Sequence, residues 1–210
     1  MIRIDEANIY NVSHMYGYVS TFNPDMINDV SFYNSYFSPE FGGRLSSVLD
    51  AQMKEGNLNS YSGSALLSVL TANASAEGPI KKDVASFFIA GRRSTLDIIK
   101  EYADFGIDVP TFYDVNAKIN YKINNKNRVF LSSYLSSDYQ KFPQLENRAL
   151  NVSGTARWIS ELQPKLFLTS SFVASNYANN SEMLDSAHQT WNVGVKEYTA
   201  KSKLNWYISN

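Results

Sequence analysis

Residues 113–124 alternate without a break. Tyr113, Val115, Ala117, Ile119, Tyr121 and Ile123 hold the odd places, and Asp114, Asn116, Lys118, Asn120, Lys122 and Asn124 the even ones. A strand points successive side chains to opposite sides, so this run makes a β-strand with one apolar and one wet face. The pattern recurs. Leu150, Val152, Gly154, Ala156 and Trp158 oppose Asn151, Ser153, Thr155 and Arg157. Tyr198, Ala200, Ser202, Leu204, Trp206 and Ile208 oppose Thr199, Lys201, Lys203, Asn205 and Tyr207. Val129, Leu131 and Leu135 share a face with Ser133. Residues 166–176 mix polar and apolar side chains on both parities and yield no face.

The connections predict how these strands are joined. Short turn-forming ones fall at 78–83, 124–127 and 160–164, and long ones at 94–112, 138–147 and 177–189. Short and long alternate, as in an antiparallel meander with all its turns at one end and all its loops at the other. Tyr113 and Tyr121 bracket the apolar stretch of one strand, and Tyr198 and Trp206 that of another. Eight residues at about 3.3 Å each give roughly 26 Å along the strand, or roughly 20 Å of height at about 40° tilt. That approaches the about 25 Å apolar band of an outer-membrane barrel, which aromatic girdles flank. Counting 61–76 as two strands joined near 67–70, about eight strands are expected between 61 and 210. Residues 1–57 are irregular. The pattern alone leaves open a membrane barrel and a soluble sandwich.

Composition narrows the chemistry. The 210 residues carry 19 basic and 20 acidic side chains, a net charge of -1, so no strong field draws the chain to nucleic acid. Charged residues are 19%, below the roughly 25% of soluble domains. There is no cysteine, which excludes disulfides, thiolate metal sites and a cysteine nucleophile. The uncharged run 56–76 is long enough to span a bilayer, but its Asn, Ser and Gly content argues against a membrane helix. Met1-Ile2-Arg3-Ile4-Asp5-Glu6 does not read as a signal peptide, since no basic stretch leads into an apolar one.

The first segment adds a resemblance. It rests on Tyr10-Asn11-Val12-Ser13-His14-Met15-Tyr16-Gly17, Phe22-Asn23-Pro24-Asp25, Phe41-Gly42-Gly43-Arg44-Leu45-Ser46-Ser47-Val48-Leu49-Asp50 and Met53-Lys54-Glu55-Gly56-Asn57. Further along it takes in Glu77-Gly78-Pro79-Ile80, Gly91-Arg92-Arg93 and Asn127-Arg128-Val129-Phe130-Leu131-Ser132. Together these runs resemble a TonB-dependent outer-membrane receptor, of the subgroup with a carboxypeptidase-like regulatory N-terminal domain. The resemblance departs at Val12, where the family usually has Pro, at Glu6, usually Gly, and at Asn34-Ser35, often a Gly pair.

The resemblance implies a mainly β fold: an open, antiparallel up-and-down meander of about eight strands, part of a transmembrane β-barrel with a partial plug. Residues 1–57 are expected to be the C-terminal half of the plug domain, and 58–210 the first barrel strands. At about 19 residues per strand, the about 22 strands of a plugged transporter need roughly 410 barrel residues, so the chain reads as an internal fragment. The implied function is uptake of a scarce solute across the cell outer membrane. The implied partners are outer-membrane lipid, an inner-membrane energy-transducing complex reached through a segment absent here, and a surface lipoprotein. The alternative is a secreted or surface β-sandwich that binds carbohydrate.

Enzyme motifs are missing: no Gly-x-Ser-x-Gly elbow, no Walker loop, no dinucleotide fingerprint, no His-Glu-x-x-His. No catalytic residue, metal ligand or cofactor is expected. His14 reads as structural, and a metal pair with His188 has no spacing rule behind it. Asp25, Asp29, Glu40 and Asp50 read as solvated or turn-capping carboxylates. Gly42 and Gly43 suit a tight turn, and Arg44 could pair with a carboxylate of the barrel wall. Arg92 and Arg93 point opposite ways on a strand, so one should face the lumen, to pair with the plug, the favoured reading, or to bind an anionic substrate. Lys118, Lys122, Arg157, Lys201 and Lys203 fall on wet faces and read as a solvated lumen wall.

Overall fold

A computed structural model describes residues 1–34, 41, 47–102, 108–184 and 189–208. Gly42, Gly43, Arg44, Glu40 and His188 lie outside the described residues, as does Ser35 of the Asn34-Ser35 departure.

The larger sheet has eight strands: β7 (Ser62–Leu67), β8 (Thr71–Lys81), β9 (Ala85–Ser94), β10 (Thr111–Asn124), β11 (Asn127–Phe142), β12 (Leu145–Gln163), β13 (Leu166–Met183) and β14 (Thr190–Trp206). Each pairs antiparallel with its sequence neighbour. The order runs from β7 to β14 without closure, so both outer strands keep a free edge. The fold is an open up-and-down meander, a barrel segment. The run 56–76 contributes the β7–β8 hairpin rather than a helix. Among the described residues no helix is long and apolar enough to cross a membrane, which says nothing of strands.

Two connections differ from their expected length. Residues 138–147 are not a long loop: β11 runs to Phe142 and β12 starts at Leu145. Composition misleads there because Asp138, Gln140 and Asn147 look loop-like. They are ladder residues, with Gln140 opposite Asn147. The 177–189 connection shortens in the same way, since β13 runs to Met183 and β14 starts at Thr190, while the connection that holds α1 (Leu96–Lys100) keeps its length.

The faces follow the alternation. Val115, Ile119, Ile123, Val152, Trp158, Leu204 and Trp206 all lie exposed on one side. Asp114, Asn116, Lys118 and Asn120 are buried on the other. In a sandwich the apolar set would pack against the second sheet. Here the second layer covers the polar face instead. On β13 the register puts Ser170 and Phe172 outward and Ser171 and Val173 inward, so mixed chemistry on both sides hid the faces.

The second layer is built from residues 1–57. A four-stranded sheet in the order β2-β1-β6-β5 joins β1 (Ile2–Ile4), β2 (Ala7–Asn8), β5 (Ile27–Tyr33) and β6 (Val48–Met53). A small hairpin of β3 (Ser13–His14) and β4 (Val19–Ser20) stands beside it. Ile4, Ile9, Met26 and Met53 of this inner segment form one core with Phe88, Ala90 and Tyr134 of the wall. Met15 and Val19 form a second core with Phe112.

The chain leaves the inner segment through Gly56, at φ +81°, where an added Cβ would lie 2.2 Å from the Phe87 carbonyl oxygen of β9. Glycine alone allows both the backbone angle and this approach. Gly56→Ala is therefore expected to cost about 1–3 kcal/mol from backbone strain alone, read as a lower urea midpoint of the detergent-solubilised protein. A variant as stable as the parent would show that the crossing tolerates a side chain.

Candidate functional site

The inner segment meets the wall through three tiers of polar contacts stacked along the strands. The middle tier starts from the β1–β2 turn. Ile4 pairs with Ala7, leaving Asp5 and Glu6 as a two-residue loop with φ of +44° and +75°. Both carboxylates point at the wall. Lys118 of β10 is only 2% exposed, and its ammonium lies 3.0 Å from Asp5 Oδ2. It also donates to the Met53 carbonyl at 3.0 Å. The other Asp5 oxygen accepts from the Met53 amide at 3.0 Å. Thr155 of β12 donates to the Asp5 carbonyl at 2.8 Å. Glu6 accepts from Ser171 of β13 at 3.1 Å and faces Arg157 at 3.7 Å and Lys201 at 2.5 Å. One turn thus reaches β10, β12, β13 and β14.

Next to it Asn8 and Tyr10 both donate to Glu197 of β14, the tyrosine at 2.7 Å. Within the inner sheet Arg3 faces Asp50 at 3.6 Å. Burial pushes the Asp50 carboxyl above its usual range, and the charge of Arg3 opposes that shift.

The tier nearest the long connections centres on His14. Its Nδ1 lies 2.9 Å from both oxygens of Asp138 on β11, and its Nε2 lies 3.6 Å from Asp114 on β10. A carboxylate only accepts, so Nδ1 carries the proton. The imidazole stacks on Phe112 at 4.4 Å with planes 6° apart. Arg92 lies over the same ring at 5.3 Å. It donates to Asp114 at 2.8 Å and to the Ser20 carbonyl at 2.7 Å. Asn11 donates to Asp138 at 2.7 Å. Above this cluster Met15, Tyr16 and Gly17 all have positive φ. The turn lifts Tyr16 and Tyr18 into solvent, and Tyr16 packs on Phe142.

The tier at the short turns is wetter. Arg128 faces Glu55 at 3.6 Å with both side chains 38% exposed, where an ion pair adds little. Ser86 donates to the Glu55 carbonyl.

The residues singled out in the sequence fall as follows. Arg92 is buried against the inner segment, while Arg93 is on the opposite side and pairs with Asp97. His14 is fully buried in a structural cluster. Lys118, Arg157 and Lys201 are not merely a solvated wall; they hold the turn of Asp5 and Glu6. That pairing was missed because the partners are over 110 positions apart, and the only local clue was two carboxylates between Ile4 and Ala7. Among the described residues no group of three or more carboxylates and imidazoles is placed to hold a metal ion.

Solved structures share the fold. The ferric enterobactin receptor PfeA of Pseudomonas aeruginosa, as a G324V mutant, superposes with a TM-score of 0.66 at 11% identity. The match covers 98% of this chain and 38% of the receptor. The siderophore receptor PirA of Acinetobacter baumannii gives 0.60 at 14% identity, covering 97% of this chain and 36% of its own. What is shared is a fold. This chain spans little more than a third of either receptor's length. No protein-family model matches the sequence, and no curated protein does.

The middle tier can be tested by a double-mutant cycle. Breaking a buried pair from one side strands a charge and typically costs about 3–5 kcal/mol. Lys118→Met is expected to fall in that range, and Lys118→Met with Asp5→Asn to cost clearly less than the two single losses added. Strict additivity in urea unfolding would show that the two groups act separately.

Proposed function

We propose that this chain is part of an outer-membrane active-transport receptor, with residues 1–57 as the C-terminal half of its plug and 58–210 as its first barrel strands. One observation carries the reading. The eight-stranded sheet leaves its apolar face bare and buries its polar face under a segment joined to it by charges. Lipid would cover the bare face. Water would fill what the plug vacates. In this reading the solute enters at the end with the long connections, where Tyr16 and Tyr18 stand above the His14 cluster. An inner-membrane energy-transducing complex, acting on a plug segment outside this chain, shifts the plug and frees the path. Outer-membrane lipid is then the permanent partner and a surface lipoprotein an occasional one. The likeness to two siderophore receptors supports the architecture; the solute of this chain is a separate question. The protein performs no covalent chemistry in this scheme.

Two measurements check it. Ile119 lies on the bare face, flanked by Tyr113 and Tyr121. In lipid Ile119→Arg should cost about 2–4 kcal/mol near the midplane, while on a water-exposed face it should stay within about 0.5 kcal/mol. Urea unfolding in bilayer vesicles reads the difference, and a neutral result rejects the membrane assignment. For transport, metal chelates, vitamins, glycans and peptides are titrated against the detergent-solubilised protein. At least one should bind, and Tyr16→Ala with Tyr18→Ala should weaken it about tenfold, a loss of about 1.4 kcal/mol, without lowering the unfolding midpoint.

A further inference from the structure

The β1–β2 turn holds a conflict. Two-residue hairpin loops with positive φ at both places favour Asn-Gly or Asp-Gly, because a Cβ in that region is strained. Here the second place is Glu6, at φ +75°. A left-handed non-glycine residue persists where its surroundings hold it. Asp5 is held from both sides, by the Met53 amide of its own sheet and by Lys118 and Thr155 of the wall. Glu6 is held differently. Its carboxylate contacts, Arg157, Lys201 and Ser171, all lie on the wall.

We propose that Glu6 is the positioning residue of the inner segment and acts as a spring-loaded latch: contact with Arg157 and Lys201 holds a strained turn, and separation lets it relax. Docking and turn conformation are then one equilibrium. The ion pairs resist separation, and the relaxing backbone gives part of that cost back. Arg157 and Lys201 are two strands apart, on β12 and β14, so a small shift of the turn loses both together. The result is a contact that is firm when made and cheap to leave. This rests on the reading above only in calling the inner segment movable; the strained turn is independent of it.

The experiment compares Glu6→Gly in two backgrounds, using the protein in detergent. Hydrogen exchange of the Ala7 and Ile9 amides, the latter donating to the Ile2 carbonyl, reports how often the β1–β2 hairpin opens. With the wall intact, Glu6→Gly removes charge-assisted contacts and should raise opening about tenfold. With Arg157→Met, Lys201→Met and Ser171→Ala already present no carboxylate contact of Glu6 to the wall remains, only the strain, and Glu6→Gly should lower opening about fivefold. The change of sign is what a simple salt bridge does not give. Glu6→Gly that raises opening, or leaves it alone, in that background overturns the proposal. Should the triply substituted wall not assemble, Lys201→Met alone serves: the Glu6→Gly effect should shrink at least about threefold, and an undiminished effect overturns the latch. If the sign changes while solute binding and uptake are untouched by every variant, the latch stands and the transport reading falls.

Discussion

An ammonium group withdrawn from water must be given an anion and acceptors, or it destabilises whatever buries it. Lys118 sits in the middle of the wall, on a strand whose polar face is covered, and its needs explain much of the molecule. Asp5 supplies the anion and Met53 a carbonyl. To bring Asp5 there, the chain makes a two-residue loop with left-handed backbone. To keep Met53 there, β6 lies parallel to β1, with Ile4 level with Ala51. The inner sheet is thus assembled around the satisfaction of one wall cation. The apolar cores on either side exclude the water that would otherwise replace these contacts.

The two faces of the wall answer to different solvents. The bare side needs only to be apolar, and Val115, Ile119 and Leu204 do no more than that. The covered side is more demanding, since each buried polar atom wants a particular partner. Tyr134 shows the difference: its ring joins the core with Ile4 and Met53, while its hydroxyl lies 2.6 Å from that of Thr21. Specificity in this fold lives on the inside.

That division decides what could be read from the sequence. β10 was legible residue by residue because its outward places are apolar and its inward places polar. β13 was not, because Val173 and Tyr177 point inward for packing while Ser170 and Asn176 point outward. The 138–147 stretch misled for a related reason: beyond the buried Asp138, polar residues of a ladder that rises clear of the packed region look like a loop. The meander and its strand count followed from alternation and turn chemistry, and the open sheet from the resemblance carried by the first segment. The site did not. Asp114, Asp138 and Glu197 were simply wet-face residues until the inner segment placed His14, Asn11 and Tyr10 against them. Long-range pairing of this kind has no period to betray it.

The unequal strands give the rim a slope. Leu67, Ala72, Arg93, Tyr113, Ser137 and Leu150 form one continuous row across six strands. At the β7 side the chain turns back at that row. On β11 and β12 it climbs on to Phe142 and Leu145, roughly 17–20 Å further along the strands. One flank is therefore a low sill and the other a tall hydrogen-bonded ribbon. The ladder carries this height on through β13 and β14, with Leu145 opposite Met183 and Glu182 opposite Thr190, so the tall flank is four paired strands wide. On the transport reading proposed above, a solute bound for Tyr16 and Tyr18 would meet the sill on one side and the ribbon on the other.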